Sequence, residues 1–516
     1  MGSAVTLTAA GGDCGGSDIE DGHFRTDHLL ADLEGRAVSS GLITLSSQAA
    51  QFVLNLASIM ALARLLDPND FGLVAMVMTV MGFLQAFRES GLSRATVQRE
   101  GITHAQISNL FWLNIVINLG IGVLLASASP LIAWFYREPR LVRVTLLLAV
   151  SFPLSGLTVQ HTALLMRTMR FKALAVIQVV SQAIGVCTGI AMAWLGYGYW
   201  ALVALQLVAA FVTVVLTYLA VPWQPQGPLR GSGTRPLVAF GSNLAAGSFV
   251  FSIARGSDGL AIGRFWGSDA LGLYSRGGAL LRRPMEQVLG AAETVLVPML
   301  SRLQNQSERY RSTFLQFYEA AALVSCLLTG VMLALARPIT LTVLGPNWNK
   351  ATLVFAGFTL SALCAPLAAA ASWLFVSQGR GKGMLLSTSL VSGLFVLSVA
   401  IGLPFGPVGI AFANSAIGLS IGVPILYYWA GREGPVTTSD LWMGFLRYAP
   451  LWVLVCGVTF STYLLLARFS PIVQLAICGP AGLLAGAAVI CTSAHLRQTA
   501  RGALHVVRQL KRAERL

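Results

Sequence analysis

The chain has 516 residues and a formal net charge of +14; 55% of its residues are hydrophobic, 11% are charged, and its mean hydropathy is +0.70. A water-soluble domain carries roughly 25% charged residues, so this composition excludes an ordinary soluble enzyme or binding module and demands lipid as solvent. Hydrocarbon offers no water to backbone N–H and C=O groups, so the apolar stretches, many of roughly twenty residues or more, must be helices. A β-barrel would need alternating strands of about ten residues, and the sequence has none.

In chain order, residues 1–36 come first, Gly-rich with seven acids between Asp13 and Glu34 and no basic leader region. They read as a disordered cytoplasmic tail rather than a cleaved signal. Fourteen spans are expected after it, at about 38–62, 71–92, 107–134, 142–165, 173–195, 199–221, 237–262, 270–299, 312–336, 352–377, 383–403, 408–430, 442–466 and 472–494. The break between the first two reads ARLLDPNDFGLVAM, where Pro and Asx residues in a short polar gap predict a tight reversal. The sequence returns 200 residues later as GRFWGSDALGLYSR, with Arg64 falling on Arg264, Gly72 on Gly272 and Leu73 on Leu273.

Two long segments carry no charge, 173–229 and 383–431. Each suits two helices joined by a turn, at GYGYW and LPFGPVG, and each is preceded by a basic pair, Arg170 with Lys172 and Arg380 with Lys382. Six spans separate the matching hairpins. An even number returns the chain to the same orientation, so the repeat is parallel, about an axis along the membrane normal. The expected architecture is an all-α membrane protein: a six-helix bundle at 37–222, a Pro/Gly-rich cytoplasmic linker at 223–236, a second six-helix bundle at 237–431, and an additional helix pair at 441–494. With both termini in the cytoplasm, inner segments hold more than twice the Arg and Lys of outer ones, despite the Arg137, Arg140 and Arg143 cluster outside. A basic segment at 495–516, with Arg497, Arg501, Arg508, Lys511, Arg512 and Arg515 on one arc, is expected to lie on anionic lipid as an amphipathic helix. The seven cysteines, Cys14 in the tail and the rest scattered singly through apolar spans, read as small core residues.

LARLLDPNDFGLVAM followed by GFLQAFRESGLSRATVQR, residues 62–99, resembles the opening signature of Wzx-type oligosaccharide flippases, the polysaccharide transporter branch of the multidrug/oligosaccharidyl-lipid/polysaccharide (MOP) exporter superfamily. Span count, two six-helix halves and an extra final pair extend the likeness over the whole membrane part. The resemblance implies movement of a lipid-linked oligosaccharide, carried on a polyprenyl diphosphate, across a bacterial inner membrane during exopolysaccharide, capsule or O-antigen synthesis. It also implies work alongside a polysaccharide polymerase and export machinery.

Such a substrate needs cations at membrane depth, and Arg suits it because it stays charged and its planar fork matches phosphate oxygens. In the segment LYSRGGALLRRPMEQVLGAAETV, Arg276, Arg282, Arg283, Glu286 and Glu293 fall within about 120° of a helix, and the opposite face is apolar. A charged face cannot meet acyl chains, so it is expected to line a hydrated cleft, with Pro284 able to kink the helix beside the Arg pair. A purely structural role remains open, because Arg282 and Glu286 at i, i+4 could neutralise each other. Arg255 and Asp258, three residues apart, either form an ion pair at the outer end of the preceding span or join the same cleft. The expected substrate-binding set is Arg276, Arg282, Arg283 and Arg255; Asp258, Glu286 and Glu293 are candidates for ion coupling. His161 beside Gln160 reads as a packing residue before a proton relay.

Several chemistries lack their parts. GRGKGM at 379–384 lacks the spacing and hydroxyl of a phosphate-binding loop, and no HExxH, CxxC or GxSxG occurs, so no catalytic residue, metal or cofactor is expected. Basic residues sit at membrane edges, which argues for lipid and against nucleic acid. Two alternatives stay open: a cation-coupled multidrug exporter of the same superfamily, and a membrane glycosyltransferase or polymerase acting on the same lipid carrier. The first needs a buried carboxylate, and residues 37–61 contain none. The second needs a large extramembrane loop.

Overall fold

The computed structural model describes residues 33–88, 103–227, 235–494, 496–499 and 502. Residues 1–32 of the acidic tail, half of the linker and most of the basic C-terminal segment lie outside the described residues; residues 33–36, expected in the disordered tail, are helical instead. The regular structure among the described residues is all helical.

The predicted reversal at Pro68 forms as a tight turn. Helix α1 (Leu33–Leu65) ends and α2 (Pro68–Arg88) begins three residues later, with proline at a first position where an N–H has no partner to lose. Helix α3 (His104–Ser127) starts from a reciprocal capping box between Thr103 and Gln106. The expected single span at 107–134 then breaks at Ala128 ahead of Pro130, giving the short α4 (Ser129–Tyr136). Helices α5 (Leu141–Ala149) and α6 (Ser151–Arg167) share the next span, and α7 (Phe171–Trp194) and α8 (Trp200–Ala220) form the uncharged hairpin. The linker begins pinned rather than free: Trp223 is buried, and Trp112 Nε1 donates to the Gln226 carbonyl at 2.8 Å.

Helix α9 (Arg235–Arg302) is broken once, at Gly267, whose φ of 80° places it where glycine alone is at ease. Tyr274 Oη donates to Asp258 Oδ2 at 3.0 Å. Along a straight helix these residues would stand about 24 Å apart, so the chain reverses at Gly267 and α9 is two arms of a hairpin. This is the expected second copy of the α1–α2 turn. The helical assignment runs through Pro284, so the break falls at the glycine and not at the proline.

The remaining helices are α10 (Ser307–Ala334), α11 (Ala336–Val343), α12 (Ala351–Leu363), α13 (Ala365–Ser377), α14 (Gly381–Gly402), α15 (Gly406–Ile417), α16 (Val423–Gly431), α17 (Thr438–Leu446), α18 (Ala449–Leu465) and α19 (Pro471–Thr492). A π-turn at Gly418–Gly422 joins α15 to α16. Among the described residues ten stretches are long and apolar enough to cross a membrane, one of them, Gly381–Gly431, long enough for two of the expected spans. Helix α2 and the two arms of α9 are not among the ten, so the count of fourteen rests for those three on their place in the repeat. The last helices dock on α10. Arg311 makes a two-pronged contact with Asp440 at 2.9 and 2.6 Å, and Trp452 Nε1 donates to Thr329 Oγ1 at 3.2 Å.

The halves repeat each other in backbone detail. Residues of positive φ recur at Arg137 and Gly345, Met169 and Gly379, and Gly198 and Gly406, which are 208, 210 and 208 positions apart, although Arg137 and Gly345 differ in ψ, at 35° and 175°. After the second pair, Arg170 donates to the Ala220 carbonyl at 3.0 Å and Arg380 to the Ala430 carbonyl at 2.8 Å, both fifty residues downstream. The two hairpin turns also meet. A Cβ on Gly72 would lie 1.7 Å from the Ser268 carbonyl oxygen, and one on Gly272 would lie 1.8 Å from the Pro68 carbonyl oxygen. Each contact is the other shifted by 200 residues, as a two-fold relation requires. Because turn touches turn, both hairpins reverse at the same face, so the repeat is parallel and not inverted. The seam is reinforced crosswise: Arg64 donates to the Thr342 carbonyl at 2.9 Å, while Arg264 lies 6.0 Å from the Phe135 ring centroid. Asn69 and Ser268 share a hydrogen bond across it.

In an otherwise cysteine-free chain, Asn69→Cys with Ser268→Cys should cross-link readily under mild oxidation. Adding Gly272→Ala should cut the yield about tenfold or more, since forcing a methyl into a closed contact costs about 1–3 kcal/mol; an unchanged yield would mean that the turns are not held together. A second expectation concerns the paired arginines. Arg380 also donates to the Trp429 and Glu433 carbonyls at 2.6 and 2.8 Å. Arg380→Ala should therefore lower the melting temperature in detergent further than Arg170→Ala, because each lost bond to a charged donor is worth about 1.5–3 kcal/mol.

Candidate functional site

Directly behind the seam lies a cavity of about 860 Å³. Its wall is built in matched pairs from the two hairpins: Asn55 with Arg255, Ser58 with Asp258, Val74 with Tyr274, and Thr79 with Ala279. The lining runs from Phe71 to Phe83 on α2, about 18 Å of helix. The cavity therefore sits on the axis relating the halves and at the depth of the expected hydrocarbon. Divergence between the copies is chemical. The first hairpin offers neutral polar groups, whereas the second offers two guanidinium groups and a carboxylate.

The structure brings together three of the seven predicted site residues. Arg255 faces the cavity from the first arm of α9 and is exposed to it. Arg276, on the second arm, is half-buried with its guanidinium 4.9 Å from the Phe71 ring centroid, close enough for a cation–π contact. Asp258 is buried, with Oδ2 accepting from Tyr274 and Oδ1 accepting from the Gly259 N–H at 2.7 Å. Arg255 and Asp258 both line the cavity, whether or not they also pair with each other. Glu293 is exposed and lines neither this cavity nor the chamber beside it. The side chains of Arg282, Arg283 and Glu286 lie outside the described residues; the flanking Leu281 and Met285 line the neighbouring chamber.

Tyr274, Phe71 and the neutral partners Asn55, Ser58, Thr79 and Gln206 escaped the sequence reading. The signal was present in the 200-residue offset, since whatever faces the axis in one hairpin should face it in the other. His161 belongs elsewhere, buried and stacked on Tyr218 at 4.2 Å between centroids, with Nε2 3.3 Å from the Trp223 carbonyl oxygen. It packs the end of the first half, as expected. Among the described residues no group of three His, Cys, Asp or Glu is placed to hold a metal.

Fold and cavity define a multi-pass, all-helical membrane protein built from a parallel repeat around a charged central cleft. The chain belongs to the polysaccharide biosynthesis protein family, which matches residues 61–353, more than half of its length. It is 27% identical over 343 residues to the succinoglycan biosynthesis transport protein ExoT of Rhizobium meliloti, covering 66% of this chain and 68% of that one. It is 25% identical to the teichuronic acid biosynthesis protein TuaB of Bacillus subtilis, covering 74% and 80%, and 22% identical to the lipopolysaccharide biosynthesis protein WzxC of Escherichia coli, covering 58% and 61%. Among solved structures, the lipid II flippase MurJ in an inward closed conformation matches 88% of this chain and 99% of its own with a TM-score of 0.69 at 14% identity. An inward-facing MATE multidrug transporter of the MOP superfamily matches 79% and 96% with a TM-score of 0.55 at 15% identity. The expected polysaccharide-biosynthesis family and the all-helical fold are thereby borne out.

The Asp258–Tyr274 bond ties the two arms of α9 across their shared turn. A double-mutant cycle of Asp258→Asn and Tyr274→Phe, read by thermal melting in detergent, should give a coupling of about 1 kcal/mol or more. A coupling near zero would mean that the arms are held by packing alone.

Proposed function

We propose that this protein is a flippase that carries a polyprenyl-diphosphate-linked oligosaccharide across the bacterial inner membrane by alternating access. The observation that carries this reading is the pairing of Arg255 and Arg276 on one wall of a cavity at membrane depth. A charge there costs several kcal/mol on the lower estimates unless it meets water or a counter-ion. Two in one cavity prepare a site for an anion that must leave water, and the fork of Arg matches a diphosphate. Arg282 and Arg283, whose side chains lie outside the described residues, stay in the proposed set on the sequence pattern alone. The names of ExoT and WzxC, a transport and a lipopolysaccharide biosynthesis protein, support the same substrate class.

On this reading residues 37–222 and 237–431 are the two moving bundles, 223–236 is their linker, and 441–494 is an added pair fixed to the second bundle. Both termini lie in the cytoplasm, so the closed seam at Gly72 and Gly272 faces the periplasm and the cavity belongs to the inward-facing half of the cycle. Rocking one bundle against the other would part that seam and carry the arginines outward. Asp258 leads the candidates for ion coupling, with Glu286 and Glu293 behind it, because among the described residues its carboxylate lines the cavity. That carboxylate also keeps the multidrug exporter in view as a second reading. No catalytic step is assigned, and the partners are the lipid-linked oligosaccharide, anionic lipid, and the polymerase and export machinery.

The test is to replace Arg255 and Arg276 singly and together by Ala and by Lys, confirm membrane levels, and measure exported polysaccharide together with lipid-linked oligosaccharide retained on the inner leaflet. Export should fall at least tenfold for the double Ala variant while the retained lipid accumulates, and Lys should restore it only in part. Normal export by the double Ala variant would place the anion elsewhere.

A further inference from the structure

Beside the charged cavity, and sharing Arg255, Gly278 and Phe358 with it, lies a second chamber of about 610 Å³ within the C-terminal half. Its polar lining comes from four helices: Ser361 on α12, Ser372 on α13, Thr388 and Ser392 on α14, and Asn414 on α15. In a helix at membrane depth a hydroxyl ordinarily donates back to a carbonyl three or four residues earlier. The same helices show this habit elsewhere, with Thr359 donating to Phe355, Ser387 to Gly383, Ser398 to Phe395 and Ser415 to Ala411, at 2.7 to 3.0 Å. The five groups facing the chamber do otherwise. Among the described residues none of their side chains makes a hydrogen bond to another part of the protein, although all are half-buried.

A hydrocarbon occupant would leave all five unsatisfied, which makes the chamber a poor berth for a polyprenyl tail. Among the described lining residues the one ionised side chain is Arg255, shared with the charged cavity, so the rest of the described lining offers a charged ligand no partner. What remains is a neutral ligand rich in hydroxyl and amide groups with apolar faces, and Phe358, Phe375 and Phe395 supply surfaces for those faces. The volume falls within the range of small-molecule sites. We propose that this chamber is a saccharide subsite, receiving the sugar residue attached directly to the diphosphate and reading it through Ser392, Thr388 and Asn414. The inference rests on the flippase reading, which puts the diphosphate at Arg255 and Arg276; the adjoining chamber is where its first sugar would fall.

The experiment measures binding of two kinds of probe to the full-length protein in nanodiscs. One is farnesyl diphosphate; the other is farnesyl diphosphate bearing glucose, galactose or N-acetylglucosamine. The wild type should bind at least one of the glycosylated probes more tightly than the bare lipid. Ser392→Val combined with Asn414→Leu should abolish that advantage, about tenfold for two lost hydrogen bonds, and leave binding of bare farnesyl diphosphate unchanged, which also reports correct folding. Three outcomes overturn the subsite: no advantage for any sugar, an advantage that survives both substitutions, or equal weakening of bare and glycosylated probes, which would assign the chamber to the lipid tail. Failure of the flippase reading is distinct, since Arg255→Ala with Arg276→Ala would then leave binding of bare farnesyl diphosphate untouched.

Discussion

Everything central in this protein is organised by a contact that only glycine permits. Where the two hairpin turns meet, the Cα of Gly72 rests against the backbone of Ser268 and the Cα of Gly272 against that of Pro68, at separations that leave no space for a methyl group. Small residues let helices approach to backbone contact when lipid gives them no hydrophobic reason to associate. The closeness fixes the axis of the repeat, since two equivalent contacts of this kind cannot both form unless the hairpins are related by a half turn. It also fixes what lies behind it. Hairpins pinned at their turns and packed against different neighbours diverge, and the space between them is the cavity.

The two-fold relation explains the cavity's shape but not its chemistry. If both copies had kept the same residues, Asn55 and Ser58 would face Asn55-like and Ser58-like partners, and the cleft would be neutral. The second copy instead carries Arg255, Asp258 and Arg276, with Tyr274 and Phe71 holding two of these in place. An anion entering such a cleft is drawn to one wall. On the flippase reading, asymmetric binding inside a symmetric frame lets one bundle rock against the other while the ligand stays with one of them, which a carrier needs and a pore does not.

The halves, the turns and the charged hairpin were legible in the sequence because each leaves a one-dimensional trace: an uncharged run, a Pro or Gly in a polar gap, a spacing of 200 residues. The 210-residue echo was harder to see, since Met169 holds with a side chain the positive φ that Gly379 holds without one. A residue match there would fail although the backbone matches. The site was legible only in its charges. Periodicity placed Arg276 with Arg282, Arg283 and Glu286 on one face, but it could not tell that Gly267 folds Asp258 back against Tyr274, because the pairing depends on a turn and not on helical spacing. Nor does any pattern in 351–431 announce the chamber, as its polar groups come from four helices and no two of them contribute a recognisable motif.

A carrier must also return empty, and the wall of the cavity bears on how. Guanidinium groups facing a dry cleft without substrate would resist closing around nothing, since their desolvation would go uncompensated. Asp258 stands in the same wall as Arg255, one helical turn away, and the Phe71 ring faces Arg276. These contacts supply a partial substitute for the substrate's phosphates, weaker than a diphosphate but present in both halves of the cycle. A substitute that is too good would compete with the substrate, and none at all would hold the empty carrier open on one side. On the flippase reading, one buried carboxylate against two arginines, short of neutralising them, leaves a net positive cleft that binds a diphosphate in preference to its own wall and can still close when the diphosphate has gone.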